Sequence, residues 1–548
     1  MSVAEQQAAV VQTSAPPITR GPLVLLTALS LSIGWGIRGN FGHEWGAMIP
    51  GALAAMAAVL LSGRDDWQRR IAYFGAFGAV GWCFGGSISY MQVIGYTHSG
   101  HSPSVLYGFA CLFVIGFVWA FMGGAGFSLP AFLTRERLTE FFLPFLCIYA
   151  VWIVHEFTYD ATNVWLAGLL GSTFIARGAD YRQDEPLYWH DTDWTSVLLA
   201  LITVLVLAAI RRRWDRASSL ITHMTVGWWA GFLILVVGLG LRMTPPRGDN
   251  WAGCVGMVAG LIVYFQRNGL RGATFVSVLT GIVGGLGFAG ATMLKLVEMK
   301  SGYETNWHSV LEQSYGLING LGVAAATLAI LHRAPRVSDD PPVRRWTYPF
   351  SAGFVLLGIT YLNAQKNTEE WVKQKVMPAS MVGITAWWWF NLFYIALVVA
   401  FVLVVRAHRR KPLPILQTSW LARGQALYLL LLWWMVVANF ERALPGFQAQ
   451  RLVTEGVITL NAIICTVLVL VYGSSGSPAP AASEIDFRPL VRRASAMGVA
   501  AFALSSLLFW GIIRVVWGDT FAGHSGLHIR FGPNATVTDH PKKGQPHP

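Results

Sequence analysis

Apolar residues in this chain come in long runs, and the polar residues crowd into the intervals between them. Runs at 22–38, 45–61, 71–95, 105–129, 141–157 and 195–210 predict six helices, most close to the ~20 residues that cross a bilayer. Six more follow at 220–242, 251–266, 273–295, 310–331, 348–362 and 382–405, then three at 426–440, 453–472 and 494–517. The pattern predicts an all-α polytopic integral membrane protein with about 14–15 transmembrane helices. No cleavage site follows the first run, which therefore reads as a retained span rather than a signal peptide.

The intervals carry a second pattern. Gly34-Trp-Gly-Ile-Arg38-Gly-Asn-Phe-Gly-His43-Glu44-Trp45-Gly ends the first run and opens the second. Gly238-Leu-Gly-Leu-Arg242-Met-Thr-Pro-Pro-Arg247-Gly-Asp249-Asn250-Trp251 does the same at the seventh and eighth. Two like-oriented copies imply parallel six-helix repeats with their polar chemistry near the axis between them. The expected organisation is a cytoplasmic tail (1–21), a first repeat (22–217), a second repeat (218–412), three additional helices (413–517) and a flexible C-terminal tail (518–548). Within the first repeat, 158–194 forms an outside loop long enough to fold as a cap over a cavity. Residues Gly473–Glu484 read as a flexible linker before the last span.

Composition narrows the class. The chain is 54% hydrophobic and 12% charged, with a mean hydropathy of +0.49. Soluble domains carry roughly 25% charged residues, so a soluble enzyme is excluded. The net charge of +12 would suit nucleic acid, but its bases gather in alternate intervals, such as Arg64/Arg69/Arg70, Arg211–Arg213 and Arg406/Arg409/Arg410. That asymmetry is the positive-inside pattern. It predicts a cytoplasmic N-terminus in a bacterial cytoplasmic (inner) membrane and no nucleic-acid partner. Twenty-four tryptophans fit aromatic belts at the two interfaces. Five cysteines lie in apolar runs without paired spacing, so neither a disulfide framework nor a zinc site is expected. No P-loop, G-x-S-x-G or H-E-x-x-H motif occurs, and no cofactor or metal is implied.

Candidate chemistry sits at the repeated motif. Arg38 and Arg242 end matched helices, where a planar guanidinium would hold a carboxylate or phosphate; interfacial snorkelling is the plainer account. His43, Glu44 and Trp45 in the first copy, with Arg247, Asp249, Asn250 and Trp251 in the second, complete the expected substrate-binding set. His155, Glu156 and Asp160 near the end of the fifth run are candidates for proton coupling, because ionisable groups at membrane depth usually face a partner or a wet cavity. Asn319, Asn391 and Asn439 read as helix–helix hydrogen bonds.

Two parallel sixes resemble the major facilitator superfamily of secondary transporters. The likeness extends to Gly260-Leu-Ile-Val-Tyr-Phe-Gln-Arg267-Asn-Gly269-Leu-Arg271 and to Gly63-Arg64-Asp65-Asp66-Trp-Gln-Arg69-Arg70. Both stand where that family has a basic loop between the second and third spans of a half. Gln266-Arg267 replaces the family's Asp-Arg, and a charged motif between the first two spans is foreign to it. The resemblance implies cytoplasmic gating by these loops and a cavity between the halves. The expected function is secondary transport of a small polar solute, anionic or sugar-like, by alternating access between two halves. The alternative is a membrane-embedded glycosyl- or acyl-transferase with an extracytoplasmic site for a lipid-linked substrate, using Glu44, Asp160, Asp191 or Asp193 as base.

Overall fold

The computed structural model describes residues 20–42, 44–85, 90–170, 192–241, 243, 250–339, 341–413, 419–444, 449–474 and 486–518. Its long helices are α1 (Arg20–Phe41), α2 (Glu44–Leu60), α3 (Ile71–Gly85), α4 (Ser102–Phe132), α5 (Phe142–Leu170) and α6 (Thr192–Arg211). They continue with α7 (Arg216–Gly231, prolonged by a π segment Phe232–Gly238), α8 (Asn250–Arg267), α9 (Arg271–Glu298) and α10 (Trp307–Ile330). Helix α11 runs Thr347–Gly353, through a π segment Phe354–Gly358, to Ile359–Lys373. The last are α12 (Ala386–Arg410), α13 (Trp420–Ala443), α14 (Ala449–Tyr472) and α15 (Arg488–Trp517). Only a small hairpin, Ser380–Met381 against Ile384–Thr385, departs from helix and short turns among the described residues.

Among the described residues, ten helices are long and apolar enough to cross a membrane, and α2 and α3 are shorter apolar helices. The chain is an all-α polytopic membrane protein. Helix α10 is not among the ten, although it has 24 residues; His308, Glu312 and Gln313 lie in its first half and Asn319 near its middle.

Six helices close on themselves in the order α1–α2–α3–α4–α9–α10 and back to α1. Helices α1–α4 belong to 22–217, and α9 and α10 to 218–412, so the ring draws on both predicted repeats. Small residues explain the close walls, because in lipid association depends on packing and not on a hydrophobic drive. A glycine lies in each of the six contacts: Gly34 on Pro50, Gly51 on Gly78, Gly81 on Gly126, Gly116 on Gly284, Gly322 on Val283, and Gly316 on Leu31 and Ser32. A Cβ on Gly116 would lie 2.3 Å from the Gly284 carbonyl oxygen, closer than any side chain tolerates.

The ring is filled with aromatics. Trp35 (α1) stacks on Trp119 (α4) with centroids 5.0 Å apart, and meets Trp82 (α3) and Tyr315 (α10) edge-on. Phe288 (α9) closes the cluster against Trp119 and Tyr315. Outside the ring, α13 and α14 pack on α1, α15 packs on α4 and α9, and α11 joins α2, α3 and α13. Helices α5 to α8 form a chain of neighbours that meets the ring at both ends, through α8 and through Phe142, Phe145 and Trp152 of α5, which contact Tyr73, Phe77 and Phe84 of α3.

Some boundaries differ from the sequence pattern. Helix α5 continues to Leu170, past the expected end at 157, so 158–170 is helix rather than loop. Helix α11 extends beyond 362 to Lys373, because its polar last turns bind neighbouring helices (below).

Candidate functional site

The site grows from the last turns of α1. Gly36 and Gly39 leave room for the side chains of Gln313 and His308 on α10, which brings the two helices together where α1 ends and α10 begins. Arg38 projects into that junction and is 1% exposed. Its Nη1 donates to Glu312 Oε1 at 2.9 Å and to the Tyr90 hydroxyl at 3.1 Å. Tyr90, just before the short helix Met91–Thr97, donates its own hydroxyl to the same Glu312 oxygen at 2.5 Å. Glu312 is fully buried, and its other oxygen, Oε2, accepts no hydrogen bond among the described residues.

Aromatic faces complete the arginine's surroundings. The guanidinium carbon lies 4.9 Å from the Trp35 ring centroid, 5.3 Å from Trp119 and 5.5 Å from Tyr90. Arg is suited to this mixture because its flat, weakly hydrated cation stacks on rings and also pairs with a carboxylate. His308 leads outward: its Nε2 is 3.6 Å from Glu312 Oε1 and 3.5 Å from the Tyr90 oxygen, and its side chain is 39% exposed. The result is a neutralised ion pair at the end of a sealed aromatic core, with one imidazole between it and the surface.

A polar layer continues from this pair across the same end of the bundle. Asn40 donates to Asn439 Oδ1 at 2.6 Å, and Asn439 donates to Glu455 Oε2 at 2.5 Å. Gln313 donates to the Thr454 carbonyl at 3.1 Å. On α11, Asn363 donates to the Trp45 carbonyl, Lys366 to the Phe41 carbonyl and Asn367 to the Ala438 carbonyl. Arg442 binds the Lys366 carbonyl and lies 3.7 Å from Glu370. These bonds hold α1, α10, α11, α13 and α14 around the α1–α2 turn. Three further acceptors, Gln313 Oε1, Asn363 Oδ1 and Asn367 Oδ1, are buried without a donor among the described residues.

The opposite end is a clamp. Arg64 pairs with Asp66 and donates to the carbonyls of Leu331, Ala334 and Pro335 beyond the end of α10. Arg70 pairs with Asp339 and donates to the carbonyls of Pro130, Leu133 and Ser338. Cations at helix C-termini satisfy carbonyls that have no partner in their own helix. Burial pulls the Arg70 guanidinium down from its usual value, and the Asp339 carboxylate beside it opposes that pull. The basic interval 63–70 thus ties the ends of α4 and α10 together.

Of the predicted site residues, Arg38 lies at the centre and Trp45 contributes its carbonyl to Asn363. His43, Arg242, Arg247 and Asp249 lie outside the described residues, as do the side chains of Glu44 and Asp160. Asn250 and Trp251 are buried at the start of α8, outside the ring. Half-buried His155 and exposed Glu156 stand on α5, also outside it. Sequence reasoning missed Glu312, Tyr90, His308 and Glu455. An acid inside a predicted span was the available signal for both glutamates.

Among the described residues, no group of three His, Cys, Asp or Glu side chains could hold a metal ion, and none of the five cysteines is in a disulfide. The class defined here is therefore a many-spanning membrane protein built on a closed six-helix ring with a buried ion pair at one end. Comparison with protein-family models, with curated proteins and with solved structures finds no match.

Proposed function

We propose that this protein is a secondary transporter of a small polar solute, coupled to proton movement, with its binding site in the polar layer around the α1–α2 turn. The observation that carries the reading is the buried Arg38–Glu312 pair, bonded to Tyr90 and flanked by half-exposed His308. Charged groups within a membrane bundle are costly and mark ion or substrate pathways. The free acceptors Glu312 Oε2, Gln313 Oε1, Asn363 Oδ1 and Asn367 Oδ1 suit a ligand that brings donors. Since Glu312 already neutralises Arg38, a hydroxyl-bearing, sugar-like solute is better supported than an anion. The interval 63–70, locked to the ends of α4 and α10, would serve as the gate at the other end, as the resemblance to the major facilitator superfamily implies.

The transferase alternative needs an acid open to lipid-linked substrate. The acids named for it lie outside the described residues (Asp191) or have side chains that do (Glu44, Asp160 and Asp193); the buried Glu312 and Glu455 of the polar layer, enclosed between helices, support a pathway within the bundle. The test is uptake of a panel of labelled hexoses, polyols, carboxylates and phosphate into proteoliposomes, with and without an imposed pH gradient. Gradient-driven accumulation of a polyol or hexose supports the proposal. Neither accumulation nor exchange of any panel member would end it.

A further inference from the structure

The two buried glutamates of the polar layer differ in one respect. Glu312 has a guanidinium at 2.9 Å. Glu455, one turn and a half into α14 and 2% exposed, has only the Asn439 amide, and it forms no ion pair among the described residues. The charged groups on the surrounding helices are engaged elsewhere or exposed, apart from Arg451, whose charge acts on Glu455 without forming an ion pair. Arg38 on α1 is bound to Glu312 and Tyr90, and Arg442 on α13 to Glu370 and the Lys366 carbonyl. Lys366 on α11 is bound to the Phe41 carbonyl, His308 on α10 lies beside Glu312, and Glu441 on α13 is exposed. Arg451, one turn earlier on α14 itself, is half-exposed and makes no ion pair with it.

A carboxylate left alone in a low-dielectric bundle is untenable; such a group neutralises itself by taking up a proton or a cation. A metal cation would need several oxygen ligands, whereas the contact Glu455 makes is with an N–H donor. We propose that Glu455 is the proton-binding residue of this protein, carrying a carboxylic acid proton at neutral pH and releasing it during the working cycle. Its position connects it to the ion pair by two routes. Asn439 and Asn40 lead to α1 two residues beyond Arg38, and the Thr454 carbonyl receives Gln313, the neighbour of Glu312. Loss of the proton would place a second negative charge beside the turn that holds Arg38, and so weaken the hold of Glu312 on that cation.

This inference deepens the transport reading, yet its test requires no solute. The full-length protein in nanodiscs at pH 7, in potassium chloride, is examined by infrared spectroscopy beside Glu455→Gln and Glu312→Gln. Glutamine keeps an acceptor for Asn439, so Glu455→Gln should fold as the parent does. The expected result is a protonated-carboxyl stretch in the parent that is lost in Glu455→Gln and retained in Glu312→Gln. A parent spectrum without that stretch, or an unchanged stretch in Glu455→Gln, would overturn the assignment. Loss of the stretch when sodium replaces potassium would overturn it in favour of a sodium site. A positive spectrum with no flux in proteoliposomes would sink transport alone.

Discussion

Replacing Glu312 with leucine keeps the volume and removes the charge, leaving the Arg38 guanidinium in its aromatic box without that carboxylate. At 2.9 Å and an effective dielectric near 20, the direct attraction is about 6 kcal/mol, most of it offset by the cost of burying both charges. Breaking one side of a buried pair costs about 3–5 kcal/mol, because the survivor stays buried and uncompensated. Three ring faces within 5.5 Å retain part of the cation's stabilisation, whereas Tyr90 loses its acceptor and adds about 1–3 kcal/mol of penalty. Glu312→Leu should therefore lose about 3–5 kcal/mol. Arg38→Met, which strands the carboxylate, should lose a similar amount. The double variant Arg38→Met/Glu312→Leu restores an apolar, well-filled junction and should be no less stable than the better of the two single variants. Equilibrium unfolding in mixed detergent micelles measures all four corners of the cycle. A double variant whose loss equals the sum of the singles would show that the two charges do not act as a pair, and the reasoning would fail.

Three other outcomes follow from the same geometry. Tyr90→Phe removes the hydroxyl shared by Arg38 and Glu312 and should cost about 1–3 kcal/mol in the same unfolding assay; a change within ~0.3 kcal/mol would mean the hydroxyl makes no net contribution. Gly116→Val drives a branched side chain into the Gly284 carbonyl at the α4–α9 contact, so it should prevent a monodisperse folded protein in size-exclusion chromatography, while Gly456→Ala, with open space around it, should not. Arg64→Ala frees the carbonyls of Leu331, Ala334 and Pro335 and should make 331–343 much more sensitive to limited proteolysis, by at least tenfold in rate; equal rates would argue against a clamp.

The helices were legible in the sequence because lipid imposes one rule on every span, and long apolar runs obey it. Each of the fifteen expected runs overlaps a long helix. The assembly was less legible. Nothing in the local pattern tells that α9 and α10 complete a ring with α1–α4, since glycine-rich stripes occur on many faces and their partners are set by three-dimensional fit. Arg38 stood out because it interrupts an apolar stretch in a distinctive motif, but its partner did not. Glu312 lies 274 residues away along the chain, inside a helix whose polar residues read as helix–helix contacts, and Tyr90 reaches the pair from the interval after α3. The clamp made by Arg64 and Arg70 was visible as a basic interval, while its targets, backbone carbonyls, carry no sequence signal at all.

Solute flux through the protein with its ion pair deleted tests whether the Arg38–Glu312 pair serves transport. Proteoliposomes carrying the parent or the Arg38→Met/Glu312→Leu variant, both shown to be folded, are compared for pH-gradient-driven hexose and polyol uptake. The parent should take up solute, and the variant should lose at least a hundredfold in rate. Equal uptake by the two would contradict that role, and would reduce the buried pair to a packing feature of the helix ring.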